Sequence, residues 1–234
     1  MRTLSTRERF LTDETGFTLP EVLVTTIILS FILLALAGIF DASLKVFSFG
    51  NNKVEAVESA RIGLQKMERE IRQAFQVDSA ASQNQLFFTT GSNPPPAMTL
   101  PAGTPKVVDQ LTFGNDHGPP ELGNDKIECG SPCEYITYKL TDSAGNSGCT
   151  TVAAAPCTLR RVNTSNSADP GEPVVENVVP DGLSFALLRS DGGIPASEGE
   201  IGMVLIKLKV SVKQGIGHAG TQTLTTVVHL RNRP

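Results

Sequence analysis

The residue types that most often perform catalysis are sparse in this sequence and show none of the spacings that catalytic motifs require. No G-x-S-x-G, G-x-x-x-x-G-K-[ST] or H-E-x-x-H pattern occurs. The three histidines lie far apart, and we expect them to be exposed or partly packed side chains: His117, His218 and His229. Four aspartates have the hard oxygen ligands that calcium prefers but lack EF-hand spacing: Asp109, Asp116, Asp125 and Asp142. We therefore expect a non-enzymatic protein with no catalytic residue, cofactor or metal site.

Four cysteines lie within one stretch rich in loop-forming residues: Cys129, Cys133, Cys149 and Cys157. In an exported domain they indicate two disulfides, for which three connectivities exist. The alternative is a zinc site with four thiolate ligands, but the C-x3-C and C-x7-C spacings differ from the C-x2-C knuckles of zinc ribbons. We favour disulfides with a stabilising role, and Cys129–Cys133 and Cys149–Cys157 are the candidate pairs.

The overall charge and the aromatic content argue against a nucleic-acid-binding protein. The formal net charge is −4 and the pI is about 5.4, whereas phosphate neutralisation needs a basic face. Trp is absent and aromatic residues make up 6% of the chain, which leaves little material for stacking bases. We expect no direct binding to nucleic acid.

Residues 17–40 form an apolar segment with a single ionisable group. At about 1.5 Å per residue, a helix of this length crosses a hydrocarbon core about 30 Å thick. Arg2, Arg7 and Arg9 precede the segment, and Asp41 and Lys45 follow it. The excess of arginine before the segment favours a cytoplasmic N-terminus and an extracytoplasmic C-terminal domain.

An ordinary cleavable signal peptide fits this segment poorly. Such a signal has a short apolar core that ends in a small-residue A-x-A site, whereas this core is long and no convincing A-x-A pattern follows it before Asp41. Gly16 also lies directly at the border between polar and apolar residues.

The residues at this border, Gly16-Phe17-Thr18-Leu19-Pro20-Glu21, resemble the prepilin cleavage motif of type IV pilins and type II secretion pseudopilins. The resemblance combines a Gly, an aromatic residue and an early Glu at the start of a membrane-length helix. It implies that a membrane-embedded prepilin peptidase cuts between Gly16 and Phe17 and methylates the new amino terminus of Phe17. It also implies assembly with other pilin or pseudopilin subunits at an inner-membrane platform.

Glu21 becomes the fifth residue of the chain after that cut. A carboxylate within a membrane segment costs a few kcal/mol, so it is usually paired or functional. The resemblance implies that Glu21 pairs with the amino terminus of a neighbouring subunit and fixes its axial register. The alternative is a Glu near the headgroups that reaches water at little cost. Pro20 is compatible with the first helical turn, where its missing N–H breaks few hydrogen bonds.

Residues 52–76 are rich in helix formers and contain no Pro. Apolar residues recur there at helical spacing and predict one stripe that packs on a core: Val54, Val57, Leu64, Met67, Ile71 and Ala74. We expect one long helix whose outer half packs on a globular domain, with a candidate break at residues 50–52. The segment around residues 60–74 also resembles larger minor pilins and J-type pseudopilins.

Beyond residue 77, short β-type runs alternate with turn residues. The predicted strands are residues 85–90, 107–113, 135–140, 158–162, 174–179, 183–189, 201–212 and 221–230. The last two are separated by a Gly-rich stretch that suits a hairpin loop. The predicted class is α+β, with an antiparallel sheet packed against the outer half of the helix, and the resemblance to pilins implies the same outline.

The sequence therefore predicts a cytoplasmic leader (residues 1–16), a transmembrane half-helix (17–40), an extracytoplasmic half-helix (41–76) and a β-rich domain (77–234). The function that the resemblance implies is that of a minor pilin or pseudopilin subunit. It would reside in the cytoplasmic membrane, in contact with lipid, and then in a pilus or pseudopilus. The alternative is a single-pass adhesin or receptor that never enters a filament.

Overall fold

The computed structural model describes residues 16–74, 77–79, 82–85, 87–88, 100, 105–115, 135–151, 155–163, 171–212 and 220–231. These residues form one long N-terminal helix and an antiparallel sheet, which confirms the predicted α+β class. The chain divides into two units between Phe47 and Ser48. The first contains the apolar part of the helix, and the second contains the rest of the helix and the sheet.

The helix, α1, runs from Leu19 to Arg72. The carbonyl oxygen of Thr18 accepts its first hydrogen bonds, from the N–H groups of Glu21 at 3.0 Å and Val22 at 3.2 Å. Glu21 in the first turn and Arg72 in the last have the signs that the helix dipole favours at each end. The helix passes through residues 50–52 without interruption and ends before residue 76, so the predicted break is wrong and the predicted end is late.

Ten strands are described. They are β1 (Val77–Ser79), β2 (Ser82–Gln85), β3 (Phe87–Phe88), β4 (Lys106–Val108), β5 (Leu111–Gly114), β6 (Tyr135–Thr141), β7 (Cys157–Asn163), β8 (Glu172–Arg189), β9 (Ile201–Val212) and β10 (Gly220–His229). The main sheet has the order β10-β9-β8-β7-β6-β5-β3, and β4 also pairs with β8. All pairings in this sheet are antiparallel, whereas β1 and β2 form a separate two-stranded ribbon.

Three of the predicted strand assignments differ from the structure. The predicted strand 85–90 spans two strands, because Gln85 ends β2, which pairs with β1, while β3 pairs with β5. The predicted strand 107–113 is two strands, because β4 pairs with β8 while β5 pairs with β6. The predicted strands 174–179 and 183–189 are one strand, β8, whose register shifts between Val178 and Leu183. The Pro180-Asp181-Gly182 sequence, a typical turn signal, instead forms a bulge in which Asp181 has a φ of 52°.

The core lies between one face of α1 and the inner face of the sheet. Buried helix residues are Ala60, Gly63, Leu64, Met67, Glu70 and Ile71, and they pack with sheet residues such as Phe113, Ile136, Phe185 and Ile206. The predicted stripe is confirmed for Leu64, Met67, Ile71 and Ala74. Val57 is half-buried, and Val54 is 68% exposed. Val54 precedes Ala60 by six residues, about 600° of helical rotation, so it lies on another face.

Gly63 marks the closest approach of α1 to β8. A Cβ atom built at this position would overlap Cγ2 of Val175 and would lie 3.3 Å from Cγ1 of Val174. Val175 is 1% exposed and its branched side chain has little freedom to move. The absence of a side chain at Gly63 therefore lets the helix backbone lie directly against the strand.

We predict that Gly63→Ala destabilises the sheet-containing unit. Overlap with Val175 costs about 1–3 kcal/mol, which outweighs the helix-propensity gain of about 1 kcal/mol from replacing glycine. Gly50→Ala is the matched control, because a Cβ atom at this helical position has no neighbour within 4 Å, and this variant should be as stable as the parent or more so. Urea unfolding of the full chain in detergent micelles, followed by circular dichroism, measures both. Equal stability of the two variants would contradict the close-approach account.

Candidate processing site and the helix–sheet junction

The bond between Gly16 and Phe17 lies in a segment without regular structure directly before α1. Gly16 is exposed, and Phe17 and Leu19 are 82% and 80% exposed. A Cβ atom at Gly16 would have no neighbour within 4 Å. This bond is therefore accessible within the described chain, and packing inside the chain does not require glycine at this position.

Glu21 is an exposed carboxylate in the first turn of α1. Its neighbours Val22, Leu23 and Val24 are each about half exposed, so Glu21 belongs to an apolar surface. Among the described residues it forms no ion pair. The positive end of the helix dipole favours a carboxylate at this position, but in hydrocarbon the charge would still need a partner.

The N-terminal part of α1 is long and apolar enough to cross a membrane, and none of its most apolar segment is buried inside the structure. Its exposed apolar side chains point in all directions around the helix, as those at Phe31, Ile32, Leu33 and Leu34 do at successive positions. A helix that is apolar on every side is typical of a membrane span when no other protein surface covers it.

A buried polar cluster joins α1 to the sheet at the other end of the helix. The carboxylate of Glu70, which is 6% exposed, accepts hydrogen bonds from the Tyr138 hydroxyl at 2.8 Å and from Arg161 Nε at 2.9 and 3.0 Å. Arg161 Nη1 also donates to Asn163 Oδ1 at 3.0 Å. Since Tyr138 lies on β6 and Arg161 on β7, one carboxylate connects the helix to two adjacent strands.

Burial keeps Tyr138 in its protonated, hydrogen-bond-donating form. Desolvation is the largest cause that raises the pKa of Tyr138 well above its ordinary range, and the negative charge and hydrogen bond of Glu70 raise it further. The tyrosine ring stacks on Phe113, with the ring centroids 6.2 Å apart. The phenol is therefore a fixed donor rather than an acid that titrates near neutral pH.

A second, more exposed ion pair lies beside this cluster. Lys66 Nζ on α1 donates to Glu172 Oε2 on β8 at 2.8 Å, and Glu172 is the direct cross-strand partner of Arg161. Positive and negative groups therefore alternate where the helix meets β7 and β8. These ion pairs hold α1 against the sheet, and both oxygens of the Glu70 carboxylate accept hydrogen bonds from Tyr138 or Arg161.

One of the two candidate disulfides lies in the described chain. Cys149 and Cys157 are bonded, with their Cα atoms 5.9 Å apart, so the zinc alternative does not apply to this pair. The carbonyl oxygen of Cys149 also accepts the N–H of Asp181 at 3.2 Å, which connects the bonded loop to the bulge of β8. Cys129 and Cys133 lie outside the described residues.

The described chain brings together no group of three or more His, Cys, Asp or Glu side chains that would hold a metal ion. His229 is exposed on β10, whereas His117, His218, Asp116 and Asp125 lie outside the described residues. The carboxylate of Asp142 is occupied by its own turn, because it accepts hydrogen bonds from Ala144 N and from Asn146 N and Nδ2. The hydrogen bonds from Asn146 lower the pKa of Asp142.

Comparison with known proteins adds no family assignment. No protein-family model matches the chain, and searches of the curated proteins and of the solved structures return no match.

The sequence reasoning missed the Glu70 cluster, although a signal for it exists. Glu70 lies three residues after Met67 and four before Ala74, so helical spacing places it on the same buried face. A carboxylate within an otherwise apolar stripe predicts buried partners, and these are Tyr138 and Arg161.

We predict that Arg161→Met lowers the free energy of unfolding by about 3–5 kcal/mol, because it leaves the buried Glu70 carboxylate without a cation. Tyr138→Phe should cost about 1.5–3 kcal/mol through one lost hydrogen bond to a charged group. The matched control is Arg72→Met, which removes a more exposed ion pair with Glu68 on the same helix and should cost about 1 kcal/mol or less. Urea unfolding of the full chain in micelles measures all three. If Arg161→Met and Arg72→Met were equally mild, the cluster would not hold the helix on the sheet.

We predict that Lys66→Gln raises the pKa of Glu172 toward its ordinary value, since the hydrogen bond from Lys66 is the largest cause that lowers it. A lowered pKa in the folded state stabilises the fold above the unfolded-state pKa of about 4.3. This stabilisation is lost as the pH falls through the lower folded-state pKa. Because the Glu172 side chain is 60% exposed, the effect is small, about 0.2–1 kcal/mol. Carboxyl NMR titration checks the shift, with Lys53→Gln as the control, and an unchanged Glu172 titration in Lys66→Gln would contradict the assignment.

Proposed function

We propose that this chain is a minor pilin or pseudopilin subunit with a structural role in a type IV pilus or in a secretion or DNA-uptake pseudopilus. A prepilin peptidase cuts it between Gly16 and Phe17 and methylates the amino terminus of Phe17. The observation that carries the proposal is the position of this bond. It is exposed, and it lies immediately before an apolar helix with Glu21 in its first turn.

The surroundings of the bond support cleavage by a peptidase. An endopeptidase needs an extended, accessible segment, and residues 16–18 have no regular structure and are exposed. Among the described residues, Gly16 has no packing reason to be glycine, because a Cβ atom there would have no neighbour within 4 Å. In this proposal, glycine at position 16 is required by the active site of the peptidase and not by packing of the chain.

The cut would create the positive charge that Glu21 needs. The new amino terminus at Phe17 would carry a positive charge only four residues before Glu21. Glu21 lies in the first turn of α1, among exposed apolar side chains. A neighbouring subunit whose amino terminus meets Glu21 would neutralise both charges, which hydrocarbon favours strongly. This pairing would set the axial register of one subunit against the next.

The remaining features support an extracytoplasmic sheet domain anchored in the cytoplasmic membrane. Arginines before the apolar segment favour a cytoplasmic N-terminus, and the Cys149–Cys157 disulfide fits an oxidising compartment. The partners are the prepilin peptidase, other subunits that pack through the helix, the inner-membrane assembly platform and membrane lipid. The protein acts by packing and performs no chemistry of its own.

We predict that Gly16→Val leaves the uncut precursor in the membrane and that Gly16→Ala slows the cut. Side chains at this position meet no other part of the chain that the structure describes, so an effect on processing reports on recognition by the peptidase. Gly38→Ala is the control, because Gly38 also has no neighbour within 4 Å of a Cβ atom. Intact mass of the membrane-extracted protein separates precursor from product. Normal processing of Gly16→Val would contradict cleavage at this bond.

We predict that Glu21→Ala inserts into the membrane normally but is strongly depleted from filaments, because insertion needs only the apolar helix whereas assembly needs the charge pair. Glu58→Ala removes an exposed carboxylate from the same helix outside the apolar segment and serves as the control. Immunoblots of membrane and sheared-filament fractions give both quantities. Incorporation of Glu21→Ala at the level of the parent would remove the register argument and favour a plain membrane anchor.

A further inference from the structure

Strand β10 forms one edge of the described sheet. It pairs with β9 over ten consecutive positions, from Gly220↔Val212 to His229↔Met203, without a register shift. The N–H of Leu230 donates to the carbonyl oxygen of Gly202 at 3.0 Å. This hydrogen bond shows that the even-numbered residues of β10 direct their backbone groups toward β9. Since backbone groups alternate in direction along an antiparallel strand, those of Thr221, Thr223, Thr225, Val227 and His229 point away from β9.

In the described part of the chain, no strand pairs with this outer edge of β10. Proteins usually protect a free edge with lysine, proline, a bulge or a very short strand. β10 contains no lysine and no proline, runs for ten residues and has no bulge. By contrast, β3 at the opposite end of the sheet has two residues, and Glu198 Oε1 accepts the N–H of Phe87 at 2.8 Å.

The solvent-facing side of the sheet next to this edge is apolar at its centre. Direct register pairs place Val107, Ala186, Leu205 and Val227 in one row across four strands. Val107 is 57% exposed and Val227 is 41% exposed. The row ends at β10, so a further strand would extend it and cover Val227.

Two lysines give this face a positive charge beside the edge. Lys207 and Lys209 on β9 are exposed and lie opposite Thr225 and Thr223, whose short side chains do not block them. Strands are spaced about 4.8 Å apart, so an added strand would lie about 10 Å from β9, within reach of an extended lysine and a glutamate together. The described residues of β9 and β10 include no carboxylate.

We infer that the outer edge of β10 binds an extended acidic segment of a partner protein, which adds to the sheet as a further strand. The main-chain groups of the edge supply the hydrogen bonds, Val227 receives an apolar side chain, and Lys207 and Lys209 bind carboxylates. A second copy of β10 fits less well, because it carries no carboxylate to meet the lysines. The inference stands apart from the proposed function, since it requires neither cleavage nor a filament.

The test uses the full chain in detergent micelles and a fluorescent peptide as long as β10. On the face that continues the lysine face, the peptide has a valine to lie beside Val227 and glutamates to lie beside Thr225 and Thr223, and every second residue, on the other face, is threonine. Fluorescence anisotropy should show saturable binding, and the same peptide with lysines in place of the glutamates should bind at least about tenfold more weakly. Thr225→Pro removes an outward N–H without touching the β9 ladder and should weaken binding about tenfold. Thr225→Val keeps that N–H and should bind as the parent does.

The double variant Lys207→Glu/Lys209→Glu should reverse the preference between the two peptides, which tests the charge contribution even if Thr225→Pro misfolds. Absence of binding at millimolar peptide would overturn the inference. An affinity that changes neither in Thr225→Pro nor in Lys207→Glu/Lys209→Glu would also overturn it. An apolar face with lysines also suits an anionic membrane. A preference of the full chain for anionic over neutral vesicles, lost in the charge-reversed variant and retained in Thr225→Pro, would replace strand addition with a lipid surface.

Discussion

A single helix in this protein must satisfy two different surroundings along its length. In the first unit its side chains are apolar on every side and exposed, which suits hydrocarbon. In the second unit only one face is buried, and the opposite face carries exposed charges such as Glu58 and Arg69. The α-helix suits both surroundings because all its backbone hydrogen bonds are internal, so only the side-chain pattern needs to change.

The contact between the outer part of α1 and the sheet sets the geometry of the second unit. Gly63 allows the backbone to lie against Val175, and Glu70 connects the same face to Tyr138 and Arg161. Apolar packing alone tolerates small rotations of a helix, whereas a buried carboxylate with three fixed donor contacts does not. We infer that the cluster contributes more to the orientation of the helix than to net stability, since desolvation offsets much of the attraction in a buried ion pair.

The elements with strong periodicity or length could be predicted from the sequence. The apolar span, the helix face formed by Leu64, Met67 and Ile71, and strand β9 follow directly from residue spacing. The continuity of β8 could not be predicted, because Pro180-Asp181-Gly182 has the composition of a turn and only its neighbours β7 and β9 hold it in the sheet. The split between β4 and β5 likewise depends on which strand each one pairs with, which is a tertiary property.

In the candidate site, too, features set by neighbouring residues could be predicted from the sequence, whereas contacts between distant residues could not. The position of Gly16 and Glu21 relative to the helix is local, and the start of α1 at Leu19 agrees with it. The partners of Glu70 are 68 and 91 residues away in sequence, and no local pattern identifies them. The charge of Lys207 and Lys209 is visible in the sequence, but their place beside the outer edge of β10 follows only from the order of the described strands.

The most direct test of the account is the N-terminal sequence and intact mass of the protein from native membranes, compared between cells with and without prepilin peptidase. The account predicts a chain that begins at N-methylated Phe17 when the peptidase is present and at Met1 when it is absent. A chain that begins at Met1 in both would contradict it and would make this protein a single-pass anchor with an adhesin or receptor domain.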